Sequence, residues 1–175
     1  MEVERLTLSP ATGVTPGIGF YLSGLDEVRE QLRETVGSMS DEQIARRAVE
    51  GAHPIGGLVL HIGEAEWWWI QCVVSGRLEM TDEDKRIAHW DVLEDPEGFG
   101  ALRYSAAYCL DAIDGIRRRT RDLLASLTDD DLERTYSYKR RDKRVEVSLR
   151  WVLHHLMDHE AQHKGQILML KRMLG

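Results

Sequence analysis

Four segments of the chain repeat apolar residues at helical spacing, and each predicts a long amphipathic helix. These helices are expected at about 17–36, 54–74, 101–127 and 152–175. The residues expected to face the core in the first helix are Phe20, Leu25, Val28, Leu32 and Val36. Those in the third are Ala107, Leu110, Ile113, Ile116, Leu123 and Leu124. The pattern predicts an all-α protein whose long helices pack as a four-helix bundle.

The segments between these helices predict smaller features. Ser40-Asp-Glu-Gln43 is a capping-box pattern, which predicts a short helix through Arg47. Residues 77–99 show little periodicity, and so long a connection suits a crossover between helices 2 and 3 rather than a tight turn. Alternating residues at 134–138 and 145–147 predict a small hairpin before helix 4, with a basic run at its tip. Ser148 is expected to cap helix 4.

Helix 4 places three histidines at four-residue spacing within its apolar stripe. The stripe consists of Val152, His155, Leu156, His159, His163, Gln166, Ile167, Leu170 and Leu174. Buried imidazoles need polar partners, so such a stripe requires an explanation. Two histidines four residues apart on a helix can bind one divalent ion, which makes His159 and His163 candidate metal ligands. The alternative is that these histidines lie in the core and bond to carboxylates of other helices.

Helix 2 brings a fourth histidine toward the interior. Leu58, His61, Ala65, Trp68 and Cys72 share one stripe. Three imidazoles from His61, His159 and His163 would leave one coordination position for water or substrate, as in catalytic zinc sites. Trp67, Trp68 and Trp69 are either all packing residues or include one, Trp68, that points the same way as His61 and walls a pocket. Cys72 lies roughly 16 Å along the helix from His61, too far to bind the same ion.

Composition narrows the class of protein. The 175 residues, 42% of them hydrophobic, predict one folded domain over 1–175. A net charge of −7 argues against a nucleic-acid surface. The chain shows neither a signal peptide nor a membrane span, so we expect a cytoplasmic protein. Cys72 and Cys109 are expected to be buried free thiols rather than a disulfide framework.

A faint internal repeat relates the two halves of the chain. Residues 38–44 resemble residues 126–132. His61 with Glu66 can then be aligned with His155 and Glu160. The repeat suggests two related helical hairpins arranged around one axis.

Two motifs make the chain resemble the DinB/YfiT-like superfamily of metal-binding four-helix bundles. The first is Leu60-His-Ile-Gly-Glu-Ala-Glu-Trp67 on helix 2. The second is His155-x-x-x-His159-Glu-x-x-His163-Lys-Gly-Gln-Ile167, which matches the family pattern except at Lys164, where arginine is usual. The likeness extends over essentially the whole chain.

The resemblance implies an up-down-down-up bundle and often a homodimer. It also implies a divalent metal, typically zinc or nickel, held by His61, His159 and His163. His155 would either replace one of these ligands or lie just outside them, and we favour the outer position. Glu64 and Glu160 would either orient a ligand imidazole or lie on the surface.

Members of the superfamily that this chain resembles include enzymes that use a low-molecular-weight thiol such as bacillithiol or mycothiol. The resemblance therefore implies the leading hypothesis, a metal-dependent enzyme that joins such a thiol to an electrophilic small molecule. Glu64 and His155 are the candidate catalytic residues, and Trp68 is the candidate cofactor-binding residue. One alternative is a metal-dependent hydrolase with Glu64 or Glu160 as its base. Another is a non-catalytic metal- or ligand-binding stress protein.

Overall fold

The computed structural model describes residues 3–95, 99 and 104–175. The helices are α1 (Pro16–Gly37), α2 (Asp41–Ala45), α3 (Ile55–Trp67), α4 (Asp82–Ala88), α5 (Ala106–Leu124) and α6 (Leu149–Leu174). A π-helical segment, Trp68–Val74, continues α3, and a 3₁₀ helix spans Asp129–Glu133. Strands β1 (Thr135–Arg140) and β2 (Lys143–Ser148) pair as an antiparallel hairpin. The chain is therefore mostly helical, as its sequence predicts.

The polar caps predicted from the sequence are present. The Ser40 side chain accepts a hydrogen bond from the Gln43 backbone N–H, and the Gln43 side-chain oxygen accepts one from the Ser40 backbone N–H. The short helix that follows ends at Ala45, two residues before the predicted end at Arg47. Ser148 accepts from the Trp151 N–H at 3.2 Å and starts α6.

Two elements of the crossover region differ from the prediction. Residues 77–99 contain α4, which the sequence does not predict because only Asp84 and Ala88 of this helix are buried. The third long helix begins at Ala106 rather than at Ala101, because the Ser105 side chain caps it by accepting from the Tyr108 N–H. Residues 101–103 lie outside the described part of the chain.

The buried residues of two long helices also differ from those that the sequence predicts. Phe20 and Ala107 were expected to be buried, but both are exposed. The buried positions of α1 are Ile18, Gly19, Leu22, Leu25, Arg29, Leu32 and Val36. Those of α5 are Ala106, Cys109, Leu110, Ile113, Ile116, Arg117, Thr120 and Leu124. Each set includes an arginine, a residue type that apolar periodicity does not assign to a core.

The four long helices pack against one another. α1 contacts α5 and α6, and α3 contacts the same two helices. Gly63 allows a close approach of α3 to α5, since a β-carbon there would lie 2.9 Å from side-chain carbons of both Ile113 and Ile116. None of the helices among the described residues has the length and apolar character needed to cross a membrane.

Candidate metal centre

Three histidines from two helices converge on one point. α3 supplies His61, and α6 supplies His159 and His163 one turn apart. One ring nitrogen from each lies within 4.8 Å of the other two. The Nε2 atoms of His159 and His163 are 3.1 Å apart. We call these three residues the histidine triad. The four-residue spacing on α6 predicted this pair, and the triad could bind a metal ion.

Two of the three imidazoles are oriented by a second side chain. His61 Nδ1 lies 2.7 Å from Glu64 Oε2, and His163 Nδ1 lies 2.8 Å from Gln166 Oε1. In each case the outer partner occupies Nδ1 and leaves Nε2 for a ligand. Such hydrogen bonds fix the tautomer and the ring orientation of metal-binding histidines.

Glu64 also fixes a neighbouring loop. Its second oxygen, Oε1, accepts a hydrogen bond of 2.8 Å from the Asp91 backbone N–H. Asp91 and His89 both have positive φ angles, 60° and 51°, so the chain turns sharply beside α3. One buried carboxylate thus connects the loop after α4 to a triad histidine.

The surroundings lower the pKa of the two triad histidines on α6. Burial, together with the smaller effect of the neighbouring charges of His163, His61 and His155, lowers the pKa of His159 to about 3. Burial likewise lowers the pKa of His163, although its hydrogen bond to Gln166 acts in the opposite direction. Metal ligands must be deprotonated, so neutral imidazoles suit metal binding near pH 7.

His155 lies next to the triad, on the side of the aromatic residues. Its ring centroid is 6.0 Å from that of His159. Its ring stacks on Trp151 at 4.7 Å and meets Trp69 edge to face at 5.3 Å. Burial lowers its pKa. His155 is therefore a neutral ring held by aromatic neighbours.

Trp68 lies just after the end of α3, as the first residue of the π-helical segment. It is half-buried, and its ring lies 5.8 Å from Trp90 and 6.4 Å from Tyr138. Cys72 is buried in a cluster with Trp67, Ala88 and Ile116, and Trp68 packs against the same cluster. The wider turns of the π-helical segment change which residues share a face after Trp68.

Glu160 takes neither of the roles expected for it. It is 1% exposed, and both of its oxygens accept hydrogen bonds from Arg29. Arg117 donates to the same carboxylate at 2.9 Å and to Glu66 at 2.8 and 3.1 Å. Arg29 also reaches Glu66 at 3.1 Å. These four buried residues form the arginine–glutamate network, whose formal charges balance.

The arginine–glutamate network divides the core between the long helices into two parts. One apolar cluster includes Leu32, Ile62, Ile113 and Ile167, and the other includes Leu25, Ile70, Leu124 and Leu156. Each network residue lies between the two clusters on its own helix. Burial acts to raise the pKa of Glu66, but the positive charges of Arg117 and Arg29 outweigh it and hold the pKa at about 2. The carboxylate is thus ionised in the folded protein.

The contacts around this network follow the internal repeat. Asp26, Arg29 and Arg33 of α1 recur at a constant separation as Asp114, Arg117 and Arg121 of α5. Arg29 and Arg33 pair with Asp114, while Arg117 and Arg121 pair with Asp26. The arginines of each helix therefore form ion pairs with the aspartate of the other helix. The constant separation was a signal in the sequence that could have identified the buried arginines.

His53 is a further imidazole that the sequence motifs did not single out. It is half-buried, and its Nδ1 has no hydrogen-bond partner among the described residues. A positive charge on His53 lowers the pKa of His163, so the two side chains are neighbours. The two cysteines, in contrast, are buried free thiols as expected, and burial raises their pKa values to about 11 for Cys72 and about 12 for Cys109.

Comparisons with other proteins agree with the motifs. The sequence profile of the DinB superfamily matches residues 24–167. The crystal structure of a DinB-like protein from Bacillus cereus is similar, with a TM-score of 0.64 and 21% sequence identity over 89% of this chain and 91% of that chain. This likeness shows the fold. No curated protein matches the sequence. Because the profile covers most of the sequence and all three triad histidines, the chain belongs to the DinB superfamily.

Proposed function

We propose that this chain is a metal-dependent enzyme that transfers a low-molecular-weight thiol, of the bacillithiol or mycothiol type, to an electrophilic small molecule. The convergence of three imidazoles within 4.8 Å is the observation that carries the proposal. Three protein ligands leave a position open to a substrate. We propose zinc or nickel as the ion, since imidazole suits both. The thiol is proposed from the resemblance to superfamily members that use such thiols.

The residues around the triad have distinct proposed roles. A divalent ion would act as a Lewis acid that favours the thiolate form of a bound thiol. Glu64 and Gln166 are positioning residues that hold the rings of His61 and His163. His155, neutral because burial lowers its pKa, would accept the thiol proton. The sulfur then bonds to an electrophilic carbon, and the leaving group departs with the electron pair of the broken bond. Trp68 would contact the bound molecules.

The contacts of the two glutamates argue against a hydrolase. Metal-assisted hydrolysis needs a general base that can reach a bound water. Both oxygens of Glu64 are engaged, by His61 and by the Asp91 N–H. Glu160 is enclosed by Arg29 and Arg117. Neither carboxylate has the freedom that a base requires, so a hydrolase would have to use His155 as its base. We place thiol transfer first because the superfamily resemblance favours it.

The remaining expectations from the sequence belong to the same proposal. We propose a single domain over 1–175 that acts in the cytoplasm as a homodimer. We also propose the up-down-down-up order of the long helices. Lys164 of α6 bonds to Gln31 of α1, and further along both helices Lys171 bonds to the Thr35 carbonyl oxygen. Contacts in this order support parallel α1 and α6.

Metal content is the first test of the proposal. Protein purified without a histidine tag should contain about one zinc or nickel ion per chain. The double variant His159→Ala/His163→Ala should lose the ion and remain folded. His154→Ala is the matched control, since His154 lies on the same helix but is exposed, and it should keep the ion. A wild-type protein that neither contains nor takes up metal would refute the metal site.

Thiol transfer is tested separately on the metal-loaded protein. Consumption of an electrophile such as monochlorobimane should depend on added bacillithiol or mycothiol. His155→Phe preserves a flat ring against Trp151 but cannot accept a proton, so kcat should fall about 100-fold, within the range for general base removal, while metal content stays constant. Metal binding without thiol-dependent turnover would instead indicate a binding protein.

A further inference from the structure

A cavity of about 380 Å³ lies between the β1–β2 hairpin and the loop that follows the π-helical segment. Its lining includes Leu78 of the loop and Ser137, Tyr138, Lys139, Lys143 and Arg144 of the two strands. Small-molecule sites commonly have volumes of roughly 300–1,000 Å³, so the space suffices for a small ligand. No residue of the histidine triad lines it. We call this space the hairpin cavity.

Aromatic packing fixes one wall of the hairpin cavity. Tyr138 is half-buried, and its ring meets Trp69 edge to face at 5.4 Å and Trp68 at 6.4 Å. Trp69 is itself buried. These contacts hold β1, which carries Ser137 and Lys139, against the π-helical segment. The wall is therefore anchored to the helices, although the basic side chains of the cavity reach solvent.

The side chains around the cavity are mostly positive. Lys139, Lys143 and Arg144 line it together with a single carboxylate, that of Asp142. Of the three cations, only Arg144 has an acidic partner among the described residues, the exposed Glu146 at 2.9 Å. Exposed ion pairs of this kind contribute little. The lining thus has an excess of two positive charges, in a chain whose net charge is −7.

The pairing of the two strands places like charges opposite each other. Lys139 is paired with Arg144, and Arg140 is paired with Lys143. Like charges directly opposite across an antiparallel pair destabilise a sheet. Lysines at a sheet edge can prevent pairing with other chains, but that protection does not require cations to face one another across the strands. The hairpin therefore contains a local repulsion that a bound anion would relieve.

We propose that the hairpin cavity binds a small dianion, either a phosphate or a dicarboxylate. A dianion matches the two excess positive charges of the lining. Its oxygens can accept charge-assisted hydrogen bonds from the ammonium groups of Lys139 and Lys143 and from the Arg144 guanidinium. The Ser137 hydroxyl can donate a further bond. This site does not rest on the proposed thiol transfer, because no triad residue takes part in it.

NMR titration of the isotope-labelled protein with inorganic phosphate and with malate tests the site. At low ionic strength, which limits screening, and at a mildly alkaline pH, where phosphate is a dianion, the backbone amide signals of residues 137–144 should shift and saturate with at least one ligand. Acetate neutralises only one of the two charges and should bind about tenfold more weakly. Saturation by phosphate alone would identify the ligand class as a phosphate, and saturation by malate alone as a dicarboxylate.

Two single substitutions separate the cavity from the charge of the hairpin as a whole. Lys143→Gln and Arg140→Gln each remove one exposed positive charge from the same cross-strand pair, but only Lys143 lines the cavity. Lys143→Gln should weaken binding of the dianion about tenfold, since it removes a charged donor. Arg140→Gln is the matched control and should change the affinity less than about threefold, consistent with the small effect of exposed charges.

Three outcomes would overturn the proposal. Signals that do not saturate with either ligand would exclude the site. Equal losses in Lys143→Gln and Arg140→Gln would mean that general charge attraction, and not the cavity, holds the anion. Shifts centred on the triad and lost in His159→Ala/His163→Ala would place the anion at the metal centre. The location of the shifts in the wild-type protein decides the question even if one hairpin variant fails to fold.

Discussion

Glu64 is a buried carboxylate whose two oxygens serve different parts of the molecule. One orients His61, and the other holds the backbone at Asp91. Glu64→Gln keeps the size of the side chain but removes the charge that favours the proton on His61 Nδ1. We expect zinc affinity to fall at least tenfold, the lower end of the range for lost outer partners of metal ligands. Competition with a chromophoric chelator measures this change.

Asp158→Asn provides the control for the charge at Glu64. Asp158 is exposed beside His159, and its carboxylate bonds to Gln162 rather than to a triad ring. The substitution removes one negative charge near the site, so zinc affinity should change less than threefold, consistent with the small effect of exposed charges. Equal losses in the two variants would mean that net charge, and not the bond to His61, sets the affinity.

The sequence predicts the triad because its signal is local. His159 and His163 are one turn apart on a single helix, and His61 lies in a recognisable motif. The sequence holds no local signal for the role of Glu160, because its partners Arg29 and Arg117 come from helices far away along the chain. A helical pattern assigns arginine to the solvent side, and only contacts between helices show that these charges are buried in pairs.

At the scale of elements, the junction between α3 and the π-helical segment is a feature that periodicity could not supply. The sequence predicts one α-helix through Val74, but the hydrogen bonding changes at Trp68. A π-helical turn accommodates more residues, so the later side chains rotate relative to an α-helical wheel. Trp68 and Trp69 both contact Tyr138, and Cys72 is buried beside Ala88 of α4. The long helices themselves were predictable from their apolar stripes.

The contact of α3 with α5 depends on Gly63. A β-carbon at this position would lie 2.9 Å from Ile113 Cγ2 and Ile116 Cδ1, closer than packed carbons allow. Gly63→Ala should lower the free energy of unfolding by about 1–2 kcal/mol, because overpacking outweighs the better helix propensity of alanine. Urea denaturation followed by circular dichroism measures this difference.

Gly165→Ala is the matched control for this substitution. Gly165 also lies inside a long helix, but nothing is within 4 Å of a β-carbon built there. The substitution should therefore raise the free energy of unfolding by about 0.5–1 kcal/mol through helix propensity alone. If Gly63→Ala were equally stabilising, α3 and α5 would have room to separate without cost.

For the whole molecule, the buried histidines make stability depend on pH. The pKa of His159 is about 3 in the folded chain, against 6.5 for an ordinary histidine. As pH falls below 6.5, the unfolded chain gains a proton there that the folded chain does not. Stability is therefore present above pH 6.5 and is lost as pH falls toward 3. Between pH 7 and 5.5, this residue should cost metal-free protein about 1 kcal/mol.

Urea denaturation of metal-free wild-type protein and of His159→Gln at both pH values checks this prediction. The variant lacks the titrating ring, so its loss of stability should be smaller by about 1 kcal/mol. Metal-free samples are required because a bound ion competes with protons for the same nitrogens. Parallel losses in the two proteins would show that His159 is readily protonated in the folded chain.

The ion pairs that Glu160 of α6 makes with Arg29 of α1 and Arg117 of α5 have a consequence for how the long helices align. Apolar contacts alone tolerate a slip of one helix along another, since leucine against isoleucine is acceptable in many alignments. A slip of α6 by one turn, roughly 5.4 Å, would move Glu160 away from Arg29 and Arg117 and leave buried charges without partners. The observed alignment pairs all four buried charges of the arginine–glutamate network. We infer that the same alignment places His159 and His163 opposite His61, so the charges at the centre of the bundle select the register in which the three imidazoles meet.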